Sequence, residues 1–172
     1  SSVQLYVGHN NVSVSGEMWC GTSSHLIGAR RSSPIGRGHP RGRPRETAMK
    51  LALIGFGQAG GKVVDEFLAF DARIGGGFVE SAIAVNSATT DLKGLEHVPM
   101  ENRVLIGQAR VKGHGVGADN ELGAEIAKAD SDEIQAAIDR IPIHEIDAFL
   151  VVAGMGGGTG SGGAPVLARQ LQ

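Results

Sequence analysis

The feature that most constrains this chain is an apolar strand candidate that runs straight into glycine and then into a helix candidate. Phe149 to Ala153 is continuously apolar. It is followed by Gly154-Met155-Gly156-Gly157-Gly158-Thr159-Gly160-Ser161-Gly162 and then by Ala164-Pro165-Val166-Leu167-Ala168. Strand, glycine turn and helix start is how a chain wraps backbone N–H groups around a phosphate. A second junction of this kind spans Leu51-Ala52-Leu53-Ile54-Gly55-Phe56-Gly57-Gln58-Ala59-Gly60-Gly61. Two phosphate cradles in one short chain point to a nucleotide with more than one phosphate.

The segments between them alternate. Lys50 to Ile54 reads as a fully buried strand, short and apolar. Residues 62–68 have helical spacing, with Val63, Val64, Phe67 and Leu68 on one face. Phe78 to Val85 reads as a second strand leading to Asn86, and Arg103 to Ile106 as a short third. The glycine-studded run 113–119 precedes a helix over about Asn120 to Lys128. Asp130-Ser131-Asp132-Glu133 has the pattern of a capping box, opening a helix to about Arg140. Ala148 to Ala153 is the next strand, and a last helix begins near Gly162. Such alternation predicts an α/β fold, a Rossmann-like parallel sheet covered on both faces, with the glycine loops gathered at the C-terminal strand ends.

Charge divides the chain. Residues 1–48 carry six arginines against Glu17 and Glu46, whereas the remainder holds 10 basic and 16 acidic residues. A basic leader thus precedes an acidic body. Residues 21–48 are crowded with Gly, Ser, Pro and Arg and bury too little apolar area to offset their ordering entropy, so residues 1–48 are expected to be a disordered leader. A basic arm touching nucleic-acid backbone is the weaker reading of that segment. The leader lacks the basic-then-apolar pattern of a secretion signal, and Met49 makes a natural domain start. The single cysteine, Cys20, permits no disulfide within the chain and goes with a cytoplasmic setting. No apolar stretch approaches the roughly 20 residues of a membrane span.

Each glycine loop has a rival reading. Gly55-Phe56-Gly57-Gln58-Ala59-Gly60 matches the dinucleotide fingerprint, so an NAD-dependent oxidoreductase is one alternative. That fingerprint wants Asp or Glu on the ribose near the end of the second strand, and this chain offers Asn86. The ATPase phosphate loop fails twice: Phe56 stands where its first glycine is required, and Val63 replaces its magnesium-binding hydroxyl. Lys62 then reads as a solvated first-turn residue, and Lys112 and His114 flank the third loop. Asp119 is either a helix N-cap or a group touching Mg²⁺ through water. The run 154–162 is far more specific: three adjacent glycines permit close approach to phosphate oxygens, and Thr159 and Ser161 add hydroxyl donors.

With these loops in this order, the chain resembles the tubulin/FtsZ superfamily of GTPases from Met49 onward, and most nearly its archaeal CetZ branch. Gly55 to Gly61 looks like the family's first nucleotide loop and Ala84-Val85-Asn86-Ser87 like the second. Lys112 to Asp119 looks like the third, which in the family faces the terminal phosphate, and Ala153 to Gly162 like the fourth. The resemblance implies GTP or GDP as ligand, with Mg²⁺. It implies contacts from Gly57, Gln58, Ala59 and Gly60, from Asn86, from Gly115, Gly117, Ala118 and Asp119, and from Gly156, Gly157, Gly158, Thr159 and Gly160. Bacterial members often carry a base-touching Asn where this chain has Lys62.

For a complete protein the resemblance further implies head-to-tail filaments that govern cell shape or division, with GTP hydrolysed on assembly. The alternative in that setting is an assembly module whose nucleotide is structural. The family's ribose-binding loop, later base-reading residue, central helix, acidic catalytic loop and second domain have no counterpart in these 172 residues. No catalytic residue is assigned, and little or no turnover is expected of the chain alone. The 148–153 strand is expected to show an open backbone edge.

Overall fold

The structure is a computed structural model that describes residues 3–9, 12–18 and 49–171. The expected disordered leader, 1–48, falls for the most part outside those residues. Within it two strands are described, β1 (Val3–His9) and β2 (Val12–Met18). The body contributes β3 (Leu51–Phe56), α1 (Gly57–Ile74), β4 (Val79–Asn86), α2 (Thr89–Lys93) and β5 (Arg103–Leu105). It continues with α3 (Gln108–Val111), α4 (Asn120–Ala129), α5 (Ser131–Ile138), β6 (Ala148–Gly154) and α6 (Gly158–Gln170).

These strands form one sheet in the order β2-β1-β6-β3-β4-β5. β6, β3, β4 and β5 run parallel, and β3, β6 and the stretch Ala82 to Val85 of β4 are apolar throughout, as strands covered on both faces are. Successive residues alternate between the two cores. Ala52, Ile54 and Phe56 of β3 join Ile83, Val85, Val151 and Ala153 beneath α4, α5 and α6. Leu53 joins Ala82, Ala84, Leu150 and Val152 on the other face, beneath Val64 of α1 and Leu92 of α2. The β6 edge that sequence reasoning leaves open is instead paired with β1, antiparallel from Val3 opposite Gly154 to Gly8 opposite Phe149. Its unpaired backbone groups offer a ladder that any available extended segment satisfies.

Three local expectations change. α6 begins at Gly158, four residues before the expected start, although glycine is a poor helix former. Tertiary packing overrides propensity there: α6 lies so close to α4 that a Cβ on Gly162 would meet the Asn120 carbonyl oxygen. Asp130 does not close the expected capping box. Its carboxylate accepts from the Gly107 N–H instead and ties α5 to the segment after β5. Finally, α1 buries Gly60, Gly61, Val64 and Asp65 and turns Phe67 outward, 45 % exposed, beside Phe70 at 49 %.

Candidate functional site

Four chain reversals meet at the C-terminal ends of the parallel strands. β3 passes directly into α1 at Gly57, whose φ of 70° suits glycine. β4 ends at Asn86 and turns through Ser87 and Ala88 into α2. The segment 113–119 joins α3 to α4, with Gly113, Gly115 and Gly117 all at positive φ, which explains the every-other-residue glycines. Met155 to Gly157 link β6 to α6.

Cross-links hold the four turns together. Thr89 N–H donates to the Gly113 carbonyl at 2.9 Å and Gly115 N–H to that of Ser87 at 3.1 Å, joining the second and third turns. Gly158 N–H donates to the Gly117 carbonyl at 2.8 Å, joining the third and fourth. The hydroxyls of Ser87 and Thr159 lie 2.7 Å apart, joining the second and fourth. Gln58 Nε2 donates to Asp91 Oδ1 at 3.0 Å, joining the first and second. The Gly57 α-carbon abuts the Gly160 backbone so closely that a Cβ there would come within 2.9 Å of its nitrogen.

Between them opens a cleft of about 250 Å³ lined by Gly57, Gln58, Asn86, Gly115, Gly117, Gly157, Gly158, Thr159 and Gly160. These are nine of the residues singled out from sequence, drawn from four separated stretches. Pockets for whole drug-sized ligands run to roughly 300–1,000 Å³, so this cleft has room for a phosphate chain, with sugar and base reaching beyond it. Ala59, Gly60, Ala118, Asp119 and Gly156 do not line it. Gly60 packs on β6, where a Cβ would strike the Val152 carbonyl oxygen. Asp119 Oδ1 accepts from Leu122 N–H at 2.9 Å as the N-cap of α4, one of its two sequence-level readings. Lys62 lies away from the cleft, in a groove on the outer face of α1 with Val63, Glu66, Phe67, Phe70 and Arg73.

Ala88, Asp91, His114 and Val116 also line the cleft. Asp91 follows no glycine motif, and its one signal in the sequence is a carboxylate five residues beyond Asn86. The cleft wall holds no lysine or arginine among the described residues, so backbone N–H groups must supply most of the positive potential. The first-turn N–H groups of a helix lack intrahelical partners. In α6 the N–H of Gly158 goes to Gly117 and that of Ser161 makes the first intrahelical bond to Gly157, so those of Thr159 and Gly160, at the positive helix end, are the ones suited to meet an anion. Asn86 is held at both ends: its Oδ1 accepts from Ser87 N–H at 2.8 Å and Ala88 N–H at 3.2 Å, and its Nδ2 donates one of its two protons to Asp91 at 3.1 Å. An Asn in this place lacks the carboxylate with which dehydrogenases hold the ribose hydroxyl.

Ser87 is wholly buried, and its hydroxyl has Thr159 as partner. Thr159→Val keeps the shape and strands that hydroxyl, at an expected cost of about 1–3 kcal/mol. Adding Ser87→Ala should recover part of the loss. Urea unfolding of the two single variants and the double variant measures this, and strictly additive losses would contradict the contact.

A family model described as Tubulin/FtsZ family, GTPase domain, matches residues 50–172. Tubulin-like protein CetZ1 of Haloferax volcanii is 70 % identical over 124 residues, 72 % of this chain and 31 % of its own length. Tubulin-like protein CetZ3 of the same organism is 65 % identical over 124 residues, again 72 % of this chain and 32 % of its own. The chain therefore spans about a third of the length of these curated relatives. Among solved structures, the GDP-bound monomer of CetZ1 from Haloferax volcanii matches with a TM-score of 0.71 at 71 % identity, covering 72 % of this chain and 37 % of that one. The GTPgS-bound protofilament of CetZ2 from Haloferax volcanii matches at 0.67 and 52 % identity, over 72 % and 36 %.

Proposed function

Because this chain belongs to the tubulin/FtsZ family through residues 50–172, we propose that its four turns hold the phosphate chain of GTP or GDP. The observation that carries the reading is convergence: turns from four separated stretches are hydrogen-bonded to one another around a single cleft. Gly57, Gln58 and Asn86 form one wall, Gly115 and Gly117 the second, and Gly157 to Gly160 the third. Gly60 packs behind the first wall against β6 and Asp119 caps α4, while Ala59, Ala118 and Gly156 lie exposed in the turns beside the cleft. The GDP-bound CetZ1 and GTPgS-bound CetZ2 structures are relatives whose ligands fit that chemistry.

Magnesium suits the donor set. Among the described residues no three His, Cys, Asp or Glu side chains gather into a metal cage. Mg²⁺ needs none, because it binds largely through phosphates and water, and Gln58 in the cleft wall carries an acceptor for such a water. The ion would offset phosphate charge that this wall, lacking lysine and arginine, does not neutralise by itself.

The whole protein, we further propose, assembles head to tail and hydrolyses GTP on assembly, in a cytoplasmic filament that governs cell shape or division. The CetZ2 relative in protofilament form supports the self-association. Among the described residues no helix is long and apolar enough to cross a membrane. Isothermal titration of the 172-residue chain tests the nucleotide reading. The expected result is saturable binding of one GDP per chain in Mg²⁺ buffer, undisturbed by millimolar NAD. Displacement of GDP by NAD, or NAD binding alone, would favour the oxidoreductase.

A further inference from the structure

We infer that Asp91 is a positioning residue of the cleft: it fixes the side-chain amide of Gln58 in the first turn while anchoring Asn86 in the second. The inference rests on the nucleotide reading above.

The chemistry of the three groups settles their orientation. An ionised carboxylate only accepts hydrogen bonds, so both amides meeting Asp91 must present NH₂ to it. Its Oδ1 receives Gln58 Nε2 at 3.0 Å and its Oδ2 receives Asn86 Nδ2 at 3.1 Å. The two amides differ in what else holds them. Asn86 is 4 % exposed, and its Oδ1 is bound by the N–H groups of Ser87 and Ala88, so its orientation survives without Asp91. Gln58 is exposed, and its hydrogen bond to Asp91 is the one described for its side chain. With Nε2 committed, Gln58 keeps its carbonyl oxygen free at the rim of a cleft whose other polar surface is chiefly N–H groups. An acceptor in that place suits a ligand hydroxyl or the water around a cation, not a bare phosphate oxygen.

This arrangement predicts a selective failure. In Asp91→Asn a single carbonyl oxygen replaces two acceptors. Asn86, held by the backbone, retains it, and Gln58 then meets an NH₂ group and must turn over or leave. Asp91→Asn should therefore behave in ligand binding like Gln58→Ala, and combining the two should add nothing.

The test is a double-mutant cycle on the 172-residue chain: GDP affinity in Mg²⁺ buffer for wild type, D91N, Q58A and the double variant, with a thermal midpoint for each. We expect each single variant to bind about five- to tenfold more weakly, the range for losing one ordinary hydrogen bond, and the double variant to match the singles. The thermal midpoint of D91N should stay close to that of wild type. In ¹⁵N spectra the Gln58 Nε2 protons should lose their distinct shift in D91N while those of Asn86 Nδ2 keep theirs. Wild-type affinity in D91N, or losses that multiply in the double variant, would overturn the inference alone. Failure of the wild-type chain to bind GDP would overturn the nucleotide reading and this inference with it.

Discussion

Alanine at position 162 should cost the fold about 3 kcal/mol, whereas aspartate at position 157 should leave stability intact and weaken nucleotide binding at least about tenfold. Both positions lie in one glycine-rich run, and the contrast separates its two tasks. Gly162 sits inside α6 where that helix meets α4; a Cβ would strike the Asn120 carbonyl oxygen and lie 2.6 Å from the Ala124 nitrogen. Both neighbours are backbone, so relief requires the helices to separate, and overpacking of this kind costs about 1–3 kcal/mol or more. Gly157 is different. Nothing lies within 4 Å of where its Cβ would point, and its φ of −107° suits any residue. It is the N-cap of α6, where aspartate is among the most favourable residues and glycine is only a few tenths of a kcal/mol behind, so Gly157→Asp should match or slightly exceed wild-type stability. Its carboxylate would then stand in the cleft beside the phosphate. Two like charges about 4 Å apart repel by up to about 4 kcal/mol near a protein surface, so GDP affinity should fall at least about tenfold. Urea unfolding and GDP titration of both variants decide the matter. A destabilised Gly157→Asp, or a stable Gly162→Ala, would reverse the assignment of tasks.

That division marks how far the sequence could be read. Strands over 51–56, 79–86 and 148–154 are legible because parallel strands buried on both faces leave an apolar run, unbroken in the first and last and confined to Ala82 to Val85 in the second. The gathering of loops at one end of the sheet follows from right-handed strand–helix–strand alternation, which sequence shows well. Helix α6 was misplaced by four residues because Gly158-Thr159-Gly160-Ser161 has low intrinsic helicity. Its conformation is imposed by α4, through contacts that only the folded chain makes. Phe67 was placed on the buried face of α1 for a similar reason. Helical spacing gives the relative directions of Val63, Val64 and Phe67 but not which arc meets the sheet, and Gly60 decides that by its close approach to the Val152 carbonyl of β6.

The candidate site was legible in its glycines and obscure in its polar side chains. Gly113, Gly115 and Gly117 stand out because positive φ restricts residue choice. Asp91 does not, since nothing local distinguishes it from any acidic residue in a helix first turn; its meaning comes from Gln58, thirty-three positions earlier. Ser87 and Thr159 pair across seventy-two positions. Motif logic finds residues that bend the backbone. Residues that bind one loop to another emerge only when the sheet brings the loops together.

Asp65 carries the second large effect. Its carboxylate is nearly buried in α1 and accepts from three consecutive backbone N–H groups, Glu96 at 3.0 Å, His97 at 2.7 Å and Val98 at 2.8 Å, with the His97 ring 3.3 Å away. It thereby pins the segment after α2, whose Leu95 and Val98 complete the core beneath α1. Burial by itself would raise the Asp65 pKa. The hydrogen bonds from Glu96, Val98 and His97 together outweigh it and hold the group below its ordinary 3.8. Because the folded value is the lower one, ionised Asp65 stabilises the native state. That contribution is fully present above about pH 4 and is lost as pH falls from there through the depressed folded value. Asp65→Ala strands the Val98 N–H in a core from which water is excluded and should cost about 3 kcal/mol at pH 7. Asp65→Asn keeps one acceptor and should cost less, with no titration of its own. Urea midpoints for wild type and Asp65→Asn between pH 3 and pH 7 should therefore lie furthest apart at neutral pH and draw together below pH 4. A gap that stays constant across that range would show that the three N–H groups do not depend on the charge of Asp65.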